Sequence, residues 1–350
     1  MPHEGVIRRF NRYLPLPEGV NPVTLLEGDT PLVEADNLRK EIKAPCKIFL
    51  KFEGTNPTGS FKDRGMTVAI TKAVLDGAKA VICASTGNTS ASAAAYAAKA
   101  GLEAFVILPK GKIAIGKLAQ ALIYGAKVVE IDGNFDDALR IVREIGEKTK
   151  VVIVNSINPF RIEGQKTASF EIVETLGKAP THHSLPVGNA GNITAYWKGY
   201  KEWSAINHTE LPKMLGFQAE GAAPIVFGKI VEHPETVATA IRIGNPASWK
   251  QAVQALDQSN GQINTVSDSE ILAAQRLIAS TEGIFCEPAS ASSVAGVKNL
   301  ASRNYFNEKD TVVCTLTGNG LKDPDIASRD IPPPLAARPI LSEVMRLIQN

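Results

Sequence analysis

The residues best equipped for covalent chemistry lie in one loop, Asn56-Pro57-Thr58-Gly59-Ser60-Phe61-Lys62-Asp63-Arg64-Gly65. An apolar strand-like run, Lys47-Ile48-Phe49-Leu50-Lys51-Phe52, precedes it, and the Ala/Leu/Lys pattern of residues 66–78 reads as helix after it. Lys62 therefore falls near a helix N-terminus. There the macrodipole, and any neighbouring cation, disfavour an ammonium and bias the amine toward its neutral, nucleophilic form. Such an amine can form a Schiff base with an aldehyde. The same loop also suits a solvated surface lysine beside an Asp63/Arg64 pair, and this motif alone leaves the two readings level.

Three more polar turns follow apolar runs. Ser85-Thr86-Gly87-Asn88-Thr89-Ser90-Ala91-Ser92 stands between the strand-like Ala80–Ala84 and an Ala-rich helix ending at Ala100. Its small hydroxyls and free backbone N–H groups suit a carboxylate, although an ordinary N-cap explains one of them. Pro186-Val187-Gly188-Asn189-Ala190-Gly191-Asn192-Ile193-Thr194 combines two glycines with two amides at a second helix start, where the backbone can approach an anion closely; phosphate is the natural guest. Thr315-Leu316-Thr317-Gly318-Asn319-Gly320-Leu321-Lys322-Asp323 puts a hydroxyl at the carboxyl edge of the run Thr311–Cys314. Any one of these is compatible with a structural turn, and together they point to a site.

The elements that must position these turns alternate. Residues 80–85, 103–109, 127–131, 151–155, 213–219 and 311–316 read as strands with amphipathic helices between most of them, which argues for mostly parallel open sheets flanked by helices, an α/β fold. In such sheets ligands bind beyond the carboxyl ends of the strands. The expected division is a smaller α/β domain over residues 55–150 and a larger one made of 1–54 and 151–350. Asp330-Ile331-Pro332-Pro333-Pro334 reads as an extended connector to a last amphipathic helix, Ile340–Gln349, expected to dock.

Composition narrows the functional classes. The 350 residues are 44% hydrophobic and 21% charged with a formal net charge of +2, which excludes a disordered or coiled-coil chain and offers no basic stripe for nucleic acid or an anionic membrane. A small-molecule partner is expected. Cys46, Cys83, Cys286 and Cys314 lack metal-binding spacing and suggest a reducing compartment. Arg8, Arg9 and Arg12 are followed by no apolar stretch, so the chain reads as complete and cytoplasmic.

From about Thr30 to Pro324 these strings resemble the threonine synthases, pyridoxal-phosphate enzymes of the tryptophan-synthase-like (fold type II) superfamily. Pro57 to Gly65 resembles the cofactor-lysine motif, which related dehydratases and cysteine synthases also carry. Ser85 to Ser90, Gly188 to Asn192 and Leu316 to Pro324 resemble the synthase versions. The resemblance implies that Lys62 carries pyridoxal 5′-phosphate beside Phe61, that Asn88 bonds the cofactor's 3′ oxygen, and that Gly188, Asn189, Ala190, Gly191 and Asn192 cradle its phosphate. It also sets Thr317 opposite the pyridine nitrogen. Ser85, Thr86 and Thr89 would take the substrate carboxylate, and Asn189 would also contact the substrate.

The substrate implied is O-phospho-L-homoserine, which needs a second phosphate site. Asn155, Ser156 and Asn158 followed by Arg161 at a helix start supply one, since a guanidinium at a helix N-terminus suits phosphate. The chemistry implied is loss of phosphate from the γ carbon and addition of water at the β carbon, giving L-threonine. The resemblance also implies a homodimer. The alternatives are a threonine or serine dehydratase, a β-replacement synthase, or a cofactor-binding protein that turns nothing over.

Two other readings are set aside. Gly111-Lys112-Ile113-Ala114-Ile115-Gly116-Lys117-Leu118 nearly fits a nucleotide P-loop but ends in Leu118 where a Mg²⁺-binding hydroxyl is needed. His182 and His183 point to opposite sides of a strand and read as peripheral, and with His3, His208 and His233 isolated they support neither a zinc site nor a Ser/His/Asp hydrolase.

Overall fold

The structure, a computed structural model, describes residues 3–85, 87–110, 115–133, 135–328 and 333–349. Its strands among those residues are β1 Leu32–Glu34, β2 Lys47–Phe52, β3 Ala80–Ala84, β4 Glu103–Pro109, β5 Lys127–Ile131, β6 Val152–Ile153, β7 His182–Pro186, β8 Lys213–Ala219, β9 Gln262–Val266 and β10 Thr311–Leu316. They form a six-stranded sheet in the order β1-β2-β10-β7-β8-β9 and a four-stranded sheet in the order β5-β4-β3-β6. Among these strands β1 alone runs antiparallel to its neighbour.

Unbroken apolar runs become strands covered on both faces because successive side chains alternate between two cores. Along β10, Val312, Cys314 and Leu316 enter one cluster with Leu50, Leu215 and Phe217, while Val313 enters another with Leu185, Trp197 and Tyr200. In the smaller sheet Val81 and Cys83 pack against the Ala-rich helix Asn88–Ala100, and Ile82 and Ala84 face Ala138 and Val142 on the opposite side.

Two strands escape the sequence reading, and a third, β7, departs from the apolar run expected before the Gly188 loop. β1 is short, β9 is half-buried along most of its length, and β7 opens with His182, His183 and Ser184, all buried. The two histidines do point to opposite sides, but they are not peripheral. His182 stacks edge-on against Tyr305 and Phe306, and His183 lies fully buried between the Tyr200 hydroxyl at 2.7 Å and the Thr315 hydroxyl at 2.8 Å. Burial and then the nearby Lys51 charge lower the His183 pKa to about 3, so it stays a neutral hydrogen-bonding group inside the larger sheet.

The expected strand 151–155 pairs regularly only over Val152–Ile153, next to β3. The Val154 amide then donates to the Ile82 carbonyl at 2.9 Å, and the Asn155 carboxamide prolongs the pairing by accepting from the Ala84 amide at 2.9 Å and donating to its carbonyl at 2.8 Å.

A buried ionic cluster ties β2 to two helices, Lys62–Leu75 and Thr167–Leu176. Arg64 donates to Glu53 at 2.6 and 2.9 Å and to Glu171 at 2.7 and 2.6 Å, and Lys51 donates to Glu171 at 2.7 Å. Asp63 is buried too, and accepts from the Thr58 amide and hydroxyl and the Ser92 hydroxyl. Asp63 and Arg64 therefore face separate partners, and the loop before Lys62 is an interior structure rather than a solvated helix start.

The last helix runs from Leu341 to Ile348 and buries none of its residues, with Leu341 76% and Ile348 77% exposed. The expected docking does not occur within the chain, whose cores close without it. No helix among the described residues is long and apolar enough to cross a membrane. Residues 111–114 of the P-loop-like string and Asp330 to Pro332 of the connector lie outside the described residues.

Candidate active site

Adjacent strands deliver the polar loops to one edge. β2, β10 and β7 are parallel neighbours in the larger sheet, and the loops carrying Lys62, Thr317 and Gly188 all leave their carboxyl ends. β3 and β6 of the smaller sheet are also parallel neighbours and release Ser85 and Asn155 from theirs. Backbone bonds hold two of these loops together. The Phe61 amide donates to the Thr317 carbonyl at 3.0 Å, the Asn319 amide to the Gly59 carbonyl at 2.9 Å, and Ser60 bridges Gly318.

Lys62 is the first residue of its helix and is half-buried, with its amine 4.2 Å from the centre of the Phe61 ring. Burial lowers its pKa to about 7, the Arg161 guanidinium adds to that, and the Glu287 carboxylate opposes it. A lysine in this state is substantially neutral near pH 7 and can act as nucleophile or base.

Arg161 approaches through a helix crossing made by glycines. Its helix, Pro159–Gln165, packs against Lys62–Leu75 so closely that a Cβ on Gly164 would lie 1.9 Å from the Arg64 carbonyl oxygen, and one on Gly65 would lie 2.7 Å from the Arg161 carbonyl oxygen. The guanidinium is buried, donates through Nη1 to the Val154 carbonyl at 3.2 Å, and has its pKa lowered by burial to about 10. Its Nε and Nη2 have no partner.

Of the seven buried side-chain polar atoms without a partner among the described residues, five belong to Ser60, Asn88, Arg161 and Gln165 on these loops and helices. Orphaned buried groups are rare in a folded chain and costly where they occur. Carried on the Lys62 and Ser85 loops and on the helices that begin at Asn88 and Pro159, they are donors and acceptors that a phosphorylated aldehyde cofactor and an anionic substrate would satisfy. In that sense the residues present fit pyridoxal 5′-phosphate.

The Gly188 loop is built for close approach. A Cβ on Gly188 would lie 2.9 Å from the Ile241 backbone, Ala190 holds a left-handed conformation with φ of 64°, and the helix Gly191–Asn207 begins directly after it. Asn189 accepts from the Ala247 amide at 3.3 Å, and Asn192 donates to the Pro186 carbonyl at 2.6 Å, so both amides brace the loop. The Ile193 amide donates to Asn192 Oδ1 at 2.8 Å and the Thr194 amide to the Ala190 carbonyl at 3.3 Å, and the N–H groups that open a helix of this kind suit an anion.

Ser85 and Thr89 are partly accessible on either side of the Gly87 turn, and Ser85 accepts from the Gly87 amide at 3.1 Å. Thr86 lies outside the described residues. Ser156 is partly accessible beside Asn155, whose amide is engaged by Ala84. Thr317 is buried, with its hydroxyl 3.0 Å from that of Ser290 and donating to Glu287 at 3.4 Å.

Glu287 is a site residue that the sequence reading misses. It caps the helix Pro288–Ala301, is fully buried, and accepts both from Thr317 and from the Asn88 amide at 3.0 and 3.1 Å. A signal exists. The helix Pro-Ala-Ser-Ala-Ser-Ser-Val-Ala-Gly-Val has no polar face, so it has to be buried on all sides together with the glutamate that starts it.

Two mostly parallel sheets, with the loops of Lys62, Gly188 and Thr317 leaving neighbouring carboxyl ends of the larger one, define a fold type II pyridoxal-phosphate enzyme. Residues 23–318 match the family described as pyridoxal-phosphate dependent enzyme. The chain is 59% identical over 333 residues to the threonine synthase of Mycobacterium tuberculosis, covering 95% of this chain and 92% of that one. It is 50% identical over 352 residues to that of Methanocaldococcus jannaschii, covering 98% and 87%. Among solved structures it is similar to a T.th. threonine deaminase, with a TM-score of 0.70, 27% identity and coverage of 87% and 94%. The chain belongs to the pyridoxal-phosphate dependent enzymes, and within them to the threonine synthase family.

Proposed function

We propose that this chain converts O-phospho-L-homoserine and water to L-threonine and phosphate, with pyridoxal 5′-phosphate as cofactor. The observation that carries this reading is Arg161. A buried guanidinium with two unpartnered donors, close enough to Lys62 to lower its pKa, is matched to a substrate that carries its own phosphate. A dehydratase acting on unphosphorylated amino acids has no use for it.

In this reading the bound cofactor supplies an electron sink for the substrate's α and β carbons. Gly188, Asn189, Ala190, Gly191 and Asn192 hold the cofactor phosphate through backbone N–H groups. Phe61 flanks the lysine, Asn88 bonds the 3′ oxygen, and Thr317 meets the pyridine nitrogen. Ser85, Thr86 and Thr89 orient the substrate carboxylate, and Asn189 contacts the substrate as well as the cofactor.

Lys62 holds the cofactor and, once released, its amine takes the proton from the α carbon. A pKa near 7 suits that exchange at neutral pH. Arg161 and Ser156 draw the leaving phosphate off the γ carbon, while Asn155 anchors their loop to Ala84 and offers its second N–H.

The smaller domain of residues 55–150, with β6 at its border, closes over the larger one in this account. The exposed apolar face of Leu341–Ile348 supports a homodimer, and the four buried, unbridged cysteines suit the cytoplasm. Lys62→Ala tests the central assignment: turnover should be abolished while the fold is kept, and robust activity in that variant would refute it.

A further inference from the structure

The carboxamide of Gln165 has no role in the reading above. Gln165 ends the helix Pro159–Gln165 and is 4% exposed, yet its buried Oε1 has no hydrogen-bond partner. An amide oxygen in that state is costly, and a folded chain keeps few of them. Its helix packs against two others that serve the site, Lys62–Leu75 and Gly191–Asn207. The side chain lies in the seam between those two. A Cβ on Gly65 would stand 2.9 Å from Gln165 Nε2, and one on Gly191 would stand 4.0 Å from Oε1 and 3.6 Å from Ile162 Cδ1. The unpartnered end of the carboxamide is thus turned toward the residue that opens the second helix.

Gly191 belongs to the loop assigned to the cofactor phosphate, and the start of a helix suits such an anion. The two ends of a carboxamide are close in size, and one donates where the other accepts. A half-turn of the group therefore puts Nε2 where Oε1 stands and aims an N–H at an anion seated on Gly191. We infer that Gln165 is a ligand of the cofactor phosphate, adding a neutral side-chain donor to the backbone N–H groups of Gly188 to Asn192. The inference rests on the proposed function for the place of that phosphate.

The position of Gln165 along its helix gives the contact a second use. Arg161 comes four residues earlier, on the same helix face, and its Nε and Nη2 also lack partners. About one turn of a single helix, roughly 6 Å of rise, then carries a donor for each of two phosphates, the cofactor's at Gln165 and the substrate's at Arg161. The helix fixes the spacing between them. Because the same helix crosses Lys62–Leu75 at Gly65 and Gly164, that spacing is also set relative to Lys62.

The test titrates the full chain, freed of cofactor, with two aldehydes that differ only in the phosphate, pyridoxal 5′-phosphate and pyridoxal. Dissociation constants are read from the absorbance of the Lys62-bound aldehyde, for wild type and for Gln165→Met, which keeps the length of the side chain and removes its hydrogen-bonding end. The expected result is a roughly tenfold weaker hold on pyridoxal 5′-phosphate, the size of one hydrogen bond to a charged group, with pyridoxal bound as in wild type. A merely structural role would weaken both aldehydes alike; that result, or a loss for neither, overturns the inference. Unchanged affinity for pyridoxal 5′-phosphate with weaker binding of inorganic phosphate to the loaded chain also overturns it, and gives Gln165 to the substrate's phosphate. Should Gln165→Met not fold, Gln165→Leu is read in the same way. A wild-type chain that attaches neither aldehyde, or holds pyridoxal as tightly as its phosphate, overturns the proposed cofactor site and this inference with it.

Discussion

Asn88 and Glu287 are 199 residues apart, yet the amide of one donates to both carboxylate oxygens of the other. Asn88 begins the helix that follows β3 of the smaller sheet, and Glu287 caps a helix packed on β7 and β10 of the larger one. This bond is one place where the two sheets share a site. Because Glu287 also meets Thr317, movement of the smaller sheet would be felt at the hydroxyl assigned to the pyridine nitrogen.

The environment of Lys62 predicts how the cofactor is captured. Only the neutral amine condenses with an aldehyde, and burial and Arg161 lower its pKa to about 7. The rate of capture of pyridoxal 5′-phosphate by the cofactor-free chain should rise through pH 7 and then level off. A midpoint near the ordinary lysine value of about 10.4 would contradict the account.

Arg161→Met should separate activity from stability. Each charge-assisted bond to phosphate that is lost removes roughly 1.5–3 kcal/mol, or about ten- to a hundredfold in kcat/KM. The melting temperature should be no lower than that of wild type, because a buried guanidinium with two unpartnered donors has been replaced by an apolar chain. Wild-type kcat/KM in this variant would remove Arg161 from the site.

The ionic cluster predicts an acid limb of stability. Burial pushes the Glu171 carboxyl up, but Arg64 and Lys51 overcome that and hold it well below the usual carboxylate range. A carboxyl lowered in the folded state stabilises fully above its unfolded value of about 4.3, and that contribution is lost as pH falls below it. Glu171→Gln should cost roughly 3–5 kcal/mol near neutrality by leaving Arg64 and Lys51 underpaired, and its stability should fall less steeply in acid. Parallel stability curves for variant and wild type below about pH 5 would count against this assignment.

Gly164→Ala tests the helix crossing that brings Arg161 to Lys62. A methyl 1.9 Å from the Arg64 carbonyl must push the two helices apart. The expected loss exceeds the roughly 1–3 kcal/mol typical of overpacking and is accompanied by weaker cofactor binding. Gly101→Ala, where a methyl meets open space and only the left-handed backbone is strained, should cost about 1 kcal/mol and leave cofactor binding intact.

Legibility in the sequence follows physical simplicity. β3, β4, β8 and β10 are readable because strands buried on both faces are apolar along most of their length. The burial of β7 is not, because His183 satisfies its ring with Tyr200 and Thr315, partners 17 and 132 residues away. The loops of Lys62, Gly188 and Thr317 announce themselves by glycine and amide chemistry at strand ends. Glu287 does not, since a glutamate before a proline looks like any helix start until its helix is seen to be buried on every side. Asn155 is legible as a polar residue after a strand, but not its pairing with Ala84.

The central claim is the reaction itself. The most direct measurement incubates the cofactor-loaded chain with O-phospho-L-homoserine and follows L-threonine and inorganic phosphate together. The account predicts their release in equal amounts. Neither product from phosphohomoserine, with L-threonine or L-serine converted to a keto acid instead, would contradict it and make the chain a dehydratase.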